Sequence, residues 1–205
     1  MQQAKRWRML AKQQVVLEEF DYDPTALGPR EVAVRVDFTA ISPGTECANY
    51  LALDPNVHIP GSWCAYPWVP GYAGCGHVLD VGAAVTEYKP GDPVVGLIRH
   101  LSHATVNADT DIVSLDARLT PEHATYLRLI SIAYTPLQVI QHDHLPVVGV
   151  WGLGMIGNLV AQLLQRSGGR VVGIDPVPER RVTGREMWHP GNTRPIRAEV
   201  ARARQ

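Results

Sequence analysis

Gly152, Gly154 and Gly157 stand in the spacing G-x-G-x-x-G directly after the apolar run Val147-Val148-Gly149-Val150-Trp151. Residues of these types at this spacing suit the binding of a diphosphate. A buried strand ends in a tight turn, and the helix that follows presents its free backbone N–H groups and its positive dipole end to an anion. Gly152 permits the turn, Gly154 lets the backbone approach a pyrophosphate, and Gly157 lets the helix pack on the strand, with Met155 and Ile156 opening the helix as part of the same seat. Asp175 ends a second β-branched run about 20 residues beyond the turn, where a carboxylate can hydrogen-bond an adenosine ribose 2′-hydroxyl. This pattern favours NAD over NADP. The competing reading is a strand-helix-strand unit that keeps its glycines for packing alone.

The surrounding elements follow from periodicity. Ile156, Leu159, Val160, Leu163 and Leu164 recur at helical spacing until Ser167-Gly168-Gly169 stops the helix. Upstream, residues 9–18 read as a first strand. Residues 31–39 read as another, with Val32, Val34, Val36 and Phe38 alternating against Ala33, Arg35 and Asp37. Residues 41–50 begin as a turn and become a short helix that Thr45 is able to cap and whose dipole Glu46 complements. Residues 53–68 read as an ordered loop, and 74–81 as a strand bent or bulged at its glycines. Short strands follow at 94–97 and 112–115, then a helix over 121–140. Several short strands separated by turns predict a small β-barrel-like module ahead of the α/β unit.

Bulk properties exclude several classes. The chain has 205 residues and a formal net charge of −1, which gives no reason to expect nucleic acid or an anionic membrane as partner. No apolar run approaches the roughly 20 residues a membrane helix needs, and the basic, polar start MQQAKRWRML has no secretory core. A cytoplasmic protein acting on a small molecule is the expectation. Cys47, Cys64 and Cys75 are odd in number and without metal-like spacing, so free thiols are expected.

A β module ending in PGYAGCGHVLDVG and KPGDPVVG, followed by a bridging helix and VVGVWGLGMIGNLVAQLL, resembles the medium-chain dehydrogenase/reductase family, the alcohol-dehydrogenase-like proteins, over about residues 15–181. The resemblance implies a mixed β and α/β chain. A GroES-like β-barrel-type domain would occupy 1–120, and a bridging helix with an incomplete, doubly wound Rossmann unit 121–182. Hydride would pass to or from a nicotinamide between the two. Residues 183–205, Arg-rich and interrupted by Pro190 and Pro195, read as a basic, disordered tail.

The chain also departs from that family. Where zinc-dependent members carry a cysteine and a histidine ligand, this sequence has Pro43, in Pro43-Gly44-Thr45-Glu46, and Tyr72, in Gly71-Tyr72-Ala73. The 121–140 helix offers no ligand between Ala124 and Ile140, and the four-cysteine structural lobe is missing after Gly96. No zinc is therefore expected. Thr45 matches the family's proton-relaying hydroxyl and Tyr72 brings a phenol, so either could hydrogen-bond a carbonyl oxygen. Their structural alternatives are helix capping for Thr45 and space filling for Tyr72. His100 and His103, or His142 and His144 around Asp143, are superficially ligand-like, but loop or opposite-face placement accounts for them. Trp63, Tyr66 and Trp68 either line a substrate cleft or anchor their loop.

A dinucleotide-binding sheet of this type has about six strands, and this chain is truncated relative to it, supplying two. The open strand edge calls for a homo-oligomer or a second chain to complete the sheet. The expected function is a zinc-independent, NAD(P)-dependent interconversion of alcohol and carbonyl, or reduction of an enone. The alternatives are a non-catalytic remnant acting as a binding or scaffold subunit, and a non-redox lyase or cyclase using the retained cleft.

Overall fold

The computed structural model describes residues 1–140 and 147–188 of the chain, which divide into two compact units, one spanning Met1–Arg128 and one beginning at Leu129. The first unit opens with an antiparallel hairpin of β1 (Gln2–Ala11) and β2 (Gln14–Tyr22). A single strand over 9–18 was expected there. The chain reverses at Lys12-Gln13, with Gln13 in the left-handed region at φ 59°. No glycine, asparagine or aspartate marks that turn. The Gln13 N–H donating to the Tyr50 carbonyl at 2.7 Å helps hold it instead.

A five-stranded antiparallel sheet follows in the order β6-β3-β4-β5-β7, built from β3 (Glu31–Thr39), β4 (Gly74–Val81), β5 (Pro93–Gly96), β6 (His103–Asn107) and β7 (Ile112–Ser114). Its core gathers Val32, Val34, Val78, Val94, Ile98 and Val106. The alternation expected along β3 fails at two places. Ala33 is buried as well, because Ala4 and Tyr22 of the hairpin pack on its face. Phe38 is 42% exposed, because the β3–β4 register shifts between Val36 and Phe38 and turns it out of phase. The irregularity anticipated at the β4 glycines lies elsewhere on that strand, at Leu79, which the β3–β4 register skips between Val78 and Asp80; Gly76 serves close approach, since a Cβ there would fall 2.0 Å from the Arg35 carbonyl oxygen. The strand β6 carries no turn signal that separates it from the loop before it.

Between β3 and β4 lie α1 (Pro43–Tyr50) and a short 3-10 turn, Pro55–His58. The 53–68 loop is anchored rather than superficial: Val57, Cys64 and Trp68 are buried with Met9. Trp68 is thereby an anchor, whereas Trp63 remains exposed and meets Trp68 edge-on. The helix expected over 121–140 is two helices, α2 (Pro121–Ala124) and α3 (Leu127–Val139).

In the second unit, β8 (Val147–Trp151) and β9 (Arg170–Ile174) pair in parallel, connected by α4 (Met155–Arg166) and followed by α5 (Pro178–Trp188). The helix α5 thus takes in residues 183–188, the first part of the stretch read as a disordered tail; the rest of that stretch lies outside the described residues. Leu137, Val150, Leu153, Ala161, Leu164 and Val171 form the core. The buried stripe of α4 centres on Ala161 and Leu164 rather than on Ile156 and Leu159, since the small side of a crossover helix can lie closest to the strands. Gly168, at φ 89°, ends α4 as expected. No helix among the described residues is long and apolar enough to cross a membrane.

Candidate functional site

Two groups of residues nominated by sequence fall in separate units. In the first unit the organising feature is the N-terminus of α1. Ser42 caps the helix from an extended conformation without a side-chain cap bond. Its hydroxyl is engaged elsewhere, accepting a hydrogen bond from the Tyr72 hydroxyl at 2.5 Å. Its N–H donates to Glu46 Oε1 at 2.8 Å, so a carboxylate reaching back along the first turn satisfies the orphan donor. Thr45 therefore does not cap α1. It lies inside the helix with Oγ1 3.5 Å from the Tyr72 hydroxyl. The structure brings Thr45 and Tyr72 together, and it adds Ser42, which sequence reasoning missed because it gave the cap of this helix to Thr45.

Behind these hydroxyls lies a buried polar chain. The side chains of Glu46 and His100 are each 7% exposed, with His100 Nε2 2.8 Å from Glu46 Oε2. His100 Nδ1 is 2.8 Å from Thr39 Oγ1. The His100 N–H donates to the Pro70 carbonyl at 2.8 Å. Gly71 packs so tightly on this histidine that a Cβ would meet its backbone nitrogen at 2.6 Å. His103 goes elsewhere, with Nδ1 3.0 Å from Ser102 Oγ and its ring beside Tyr22. The His142 and His144 pair lies outside the described residues.

The donor set does not fit a catalytic zinc. Pro43 has no ligating side chain, and Tyr72 is engaged with Ser42. Among the described residues no three His, Cys, Asp or Glu side chains converge as a metal centre requires. Cys75, three residues from Tyr72, is buried with its thiol donating to the Pro121 carbonyl at 3.2 Å. Burial pushes that thiol up to about 11, away from the thiolate a metal needs.

In the second unit the glycine turn is a tight one that leaves open space beside two of its glycines. Gly152 adopts φ 88°, and its N–H donates to the Ile174 carbonyl at 2.7 Å. A Cβ on Gly152 or Gly154 would meet nothing within 4 Å, so the backbone there borders open space. On Gly157 it would fall 1.7 Å from the Gly152 carbonyl oxygen; this glycine serves the close approach of helix and turn. Met155 and Ile156 open α4 beside that space. Asp175 is placed differently from the expectation of a free ribose acceptor. It is 1% exposed, its Oδ2 accepting from the Leu153 N–H at 2.7 Å and its Oδ1 from the Val177 N–H at 2.8 Å. These two backbone donors, Val177 foremost, hold its carboxyl below the usual range. Arg180 stands 3.6 Å from Oδ2.

Comparison with known proteins adds to this geometry. Residues 28–115 match the alcohol dehydrogenase GroES-like domain. The D-guloside 3-dehydrogenase of Escherichia coli (strain K12) is 28% identical over 184 residues, 78% of this chain and 51% of that protein. Among solved structures, the 2R,3R-butanediol dehydrogenase of Bacillus subtilis aligns with a TM-score of 0.77 at 19% identity, covering 90% of this chain and 61% of that one. An alcohol dehydrogenase of Escherichia coli CFT073, solved with NADH, aligns at 0.73 and 19%, covering 90% and 60%. At such identities the likeness is one of fold. The chain spans about half the length of the curated relatives it matches.

Proposed function

Given that this chain carries the GroES-like domain of the alcohol dehydrogenases and the fold of the medium-chain dehydrogenase family, we propose that it is an oxidoreductase. In this reading it works without zinc, interconverting an alcohol and a carbonyl, or reducing an activated double bond, with a nicotinamide cofactor. The observation that carries the reading is the pair of hydroxyls on Thr45 and Tyr72, 3.5 Å apart. They stand where the family resemblance assigns a proton relay and a metal ligand.

Two donors at that separation can bracket one oxygen, each at the usual O–H···O distance of about 2.8 Å. Together they would supply part of the polarisation that a Lewis acid gives. A bound nicotinamide would supply or accept the hydride. In the direction of reduction, the Tyr72 hydroxyl would turn its one proton from Ser42 to the substrate, so that the carbonyl carbon gains hydride and its oxygen gains the Tyr72 proton while Ser42 O–H, itself reprotonated from solvent, reverses to donate to Tyr72. Ser42, already bonded to Tyr72, is the hydroxyl from which that proton would be replaced. The Gly152-Gly154-Gly157 turn, with Met155 and Ile156, would hold the pyrophosphate. The negative charge of Asp175 favours NAD over the additional phosphate of NADP, although Arg180 partly offsets it. We propose further that a second polypeptide, a copy of this chain or another, completes the sheet. Among the described residues β8 pairs with β9 alone, and Trp151 on β8 is 75% exposed.

The test is NADH binding by fluorescence, followed by NADH and NADPH oxidation with a panel of aldehydes, ketones and enones after dialysis against a chelator. The expected outcome is saturable binding, chelator-resistant turnover and a fall of about 100-fold in kcat for Tyr72→Phe. Zinc near one per chain in untagged protein would remove the zinc-independent reading. Absence of saturable NADH binding would leave the non-catalytic subunit in its place.

A further inference from the structure

A buried acid–base pair adds little net stability, because desolvation offsets much of its attraction. In this chain one such pair joins the two segments that carry the hydroxyls. Glu46 is the residue after Thr45, and it holds the N–H of Ser42 with one carboxylate oxygen and His100 with the other. His100 reaches the second segment through its own backbone, donating to Pro70, while Gly71 closes on its ring before Tyr72 follows. Thr39, at the end of β3, occupies the remaining ring nitrogen, and the Trp7 N–H of the hairpin donates to the His100 carbonyl at 3.0 Å. One residue thus ties four places, its ring bonding α1 and the end of β3 and its backbone bonding the turn before β4 and the hairpin.

We propose that His100 is a positioning residue: acting through Glu46 and Gly71, it fixes the placement of Ser42 and Thr45 relative to Tyr72. This rests on the reading of those hydroxyls as the proton-donating site. Nε2 faces Glu46 and Nδ1 faces Thr39, whose hydroxyl can serve that nitrogen as donor or acceptor. The ring therefore has both nitrogens assigned and no freedom to turn. A glutamine at this position could reach Glu46 or Thr39 but not reproduce both contacts with the rigidity of a ring. Misplacement of a donor by about 1 Å is enough to lower turnover by about 100-fold.

The experiment uses the full chain labelled with 3-fluorotyrosine, with the Tyr72 resonance assigned by its loss in Tyr72→Phe. His100→Gln and the near-isosteric Thr39→Val are compared with the control His77→Gln, an exposed histidine paired with Asp37. Both test variants should move the Tyr72 fluorine resonance while the tyrosines distant from α1 stay in place, and both should lower kcat about 10-fold or more with NADH affinity unchanged. The control should do neither. If His100→Gln fails to fold, Thr39→Val decides the matter. A Tyr72 resonance unmoved in a folded test variant overturns the proposal. Lack of turnover in the wild-type chain would instead count against the assigned activity, and the fluorine measurement would still judge the placement of Tyr72.

Discussion

At the scale of single residues, similar chemistry has been put to different uses by its surroundings. The three thiols are one case. Cys47 is exposed, whereas Cys64 and Cys75 are buried and burial raises the pKa of both, Cys75 to about 11. A thiol reagent at pH 8 should label Cys47 rapidly and the other two only after denaturation, as counted by mass spectrometry; fast modification of Cys75 would contradict its packing. Asp175 is the second case. Its position at the end of β9 was readable from spacing, but its two backbone partners were not, because Leu153 and Val177 meet it only once the turn has folded. Its carboxyl is held low in the folded state, so the stability it contributes is complete above the unfolded value of about 3.9 and is lost as pH falls through the lower, folded value. Urea unfolding of the second unit should therefore weaken with acid in the wild type. In Asp175→Asn it should be weaker at pH 7 and flatter with pH, the two curves converging in acid. Parallel curves would show that the carboxylate is not the clamp.

At the scale of elements, periodicity identified those whose neighbours are close in sequence. The strands β3, β4, β8 and β9 and the helix α4 stand where alternation and glycine spacing put them. What escaped was set by contacts from far along the chain. The turn at Gln13 is held with help from Tyr50, Ala33 is buried by the hairpin, and the face of α4 is chosen by the strands beneath it. The Ser42–Tyr72 bond spans 30 residues and the His100–Glu46 pair 54; no local pattern encodes either. The glycine turn was legible as a motif, and the structure now separates its members. Gly154→Ala places a methyl in open space where a pyrophosphate would approach, so it should leave the melting temperature within a few degrees and weaken NADH binding at least 10-fold. Gly157→Ala drives a methyl into the Gly152 carbonyl and should destabilise the second unit by about 3 kcal/mol or more, in the range of severe overpacking. Calorimetry alongside NADH titration checks both. Equal loss of stability in the two variants would contradict this division of roles.

At the scale of the whole molecule, the two units are unequally provided for. The first has five hydrogen-bonded strands and a hairpin packed on them. The second has a sheet of two strands among the described residues, and Val139, Val147 and Trp151 are 75%, 50% and 75% exposed. Two strands are marginal in water unless helices cover them, and apolar surface left in solvent contributes nothing to folding. Unfolding should therefore proceed in two steps, with the amides of β8 and β9 exchanging through openings that leave β3 and β4 protected, as hydrogen exchange resolved by mass spectrometry would read. A ligand seated on the glycine turn binds only the folded second unit, so NADH at 100 times its dissociation constant should raise the stability of that step alone by about 2.7 kcal/mol. A single transition, with both sets of amides opening together, would mean that the second unit draws its stability from the first. NADH protection appearing first in β3 and β4 would place the nucleotide away from Gly152, Gly154 and Gly157 and remove the ground for a dehydrogenase.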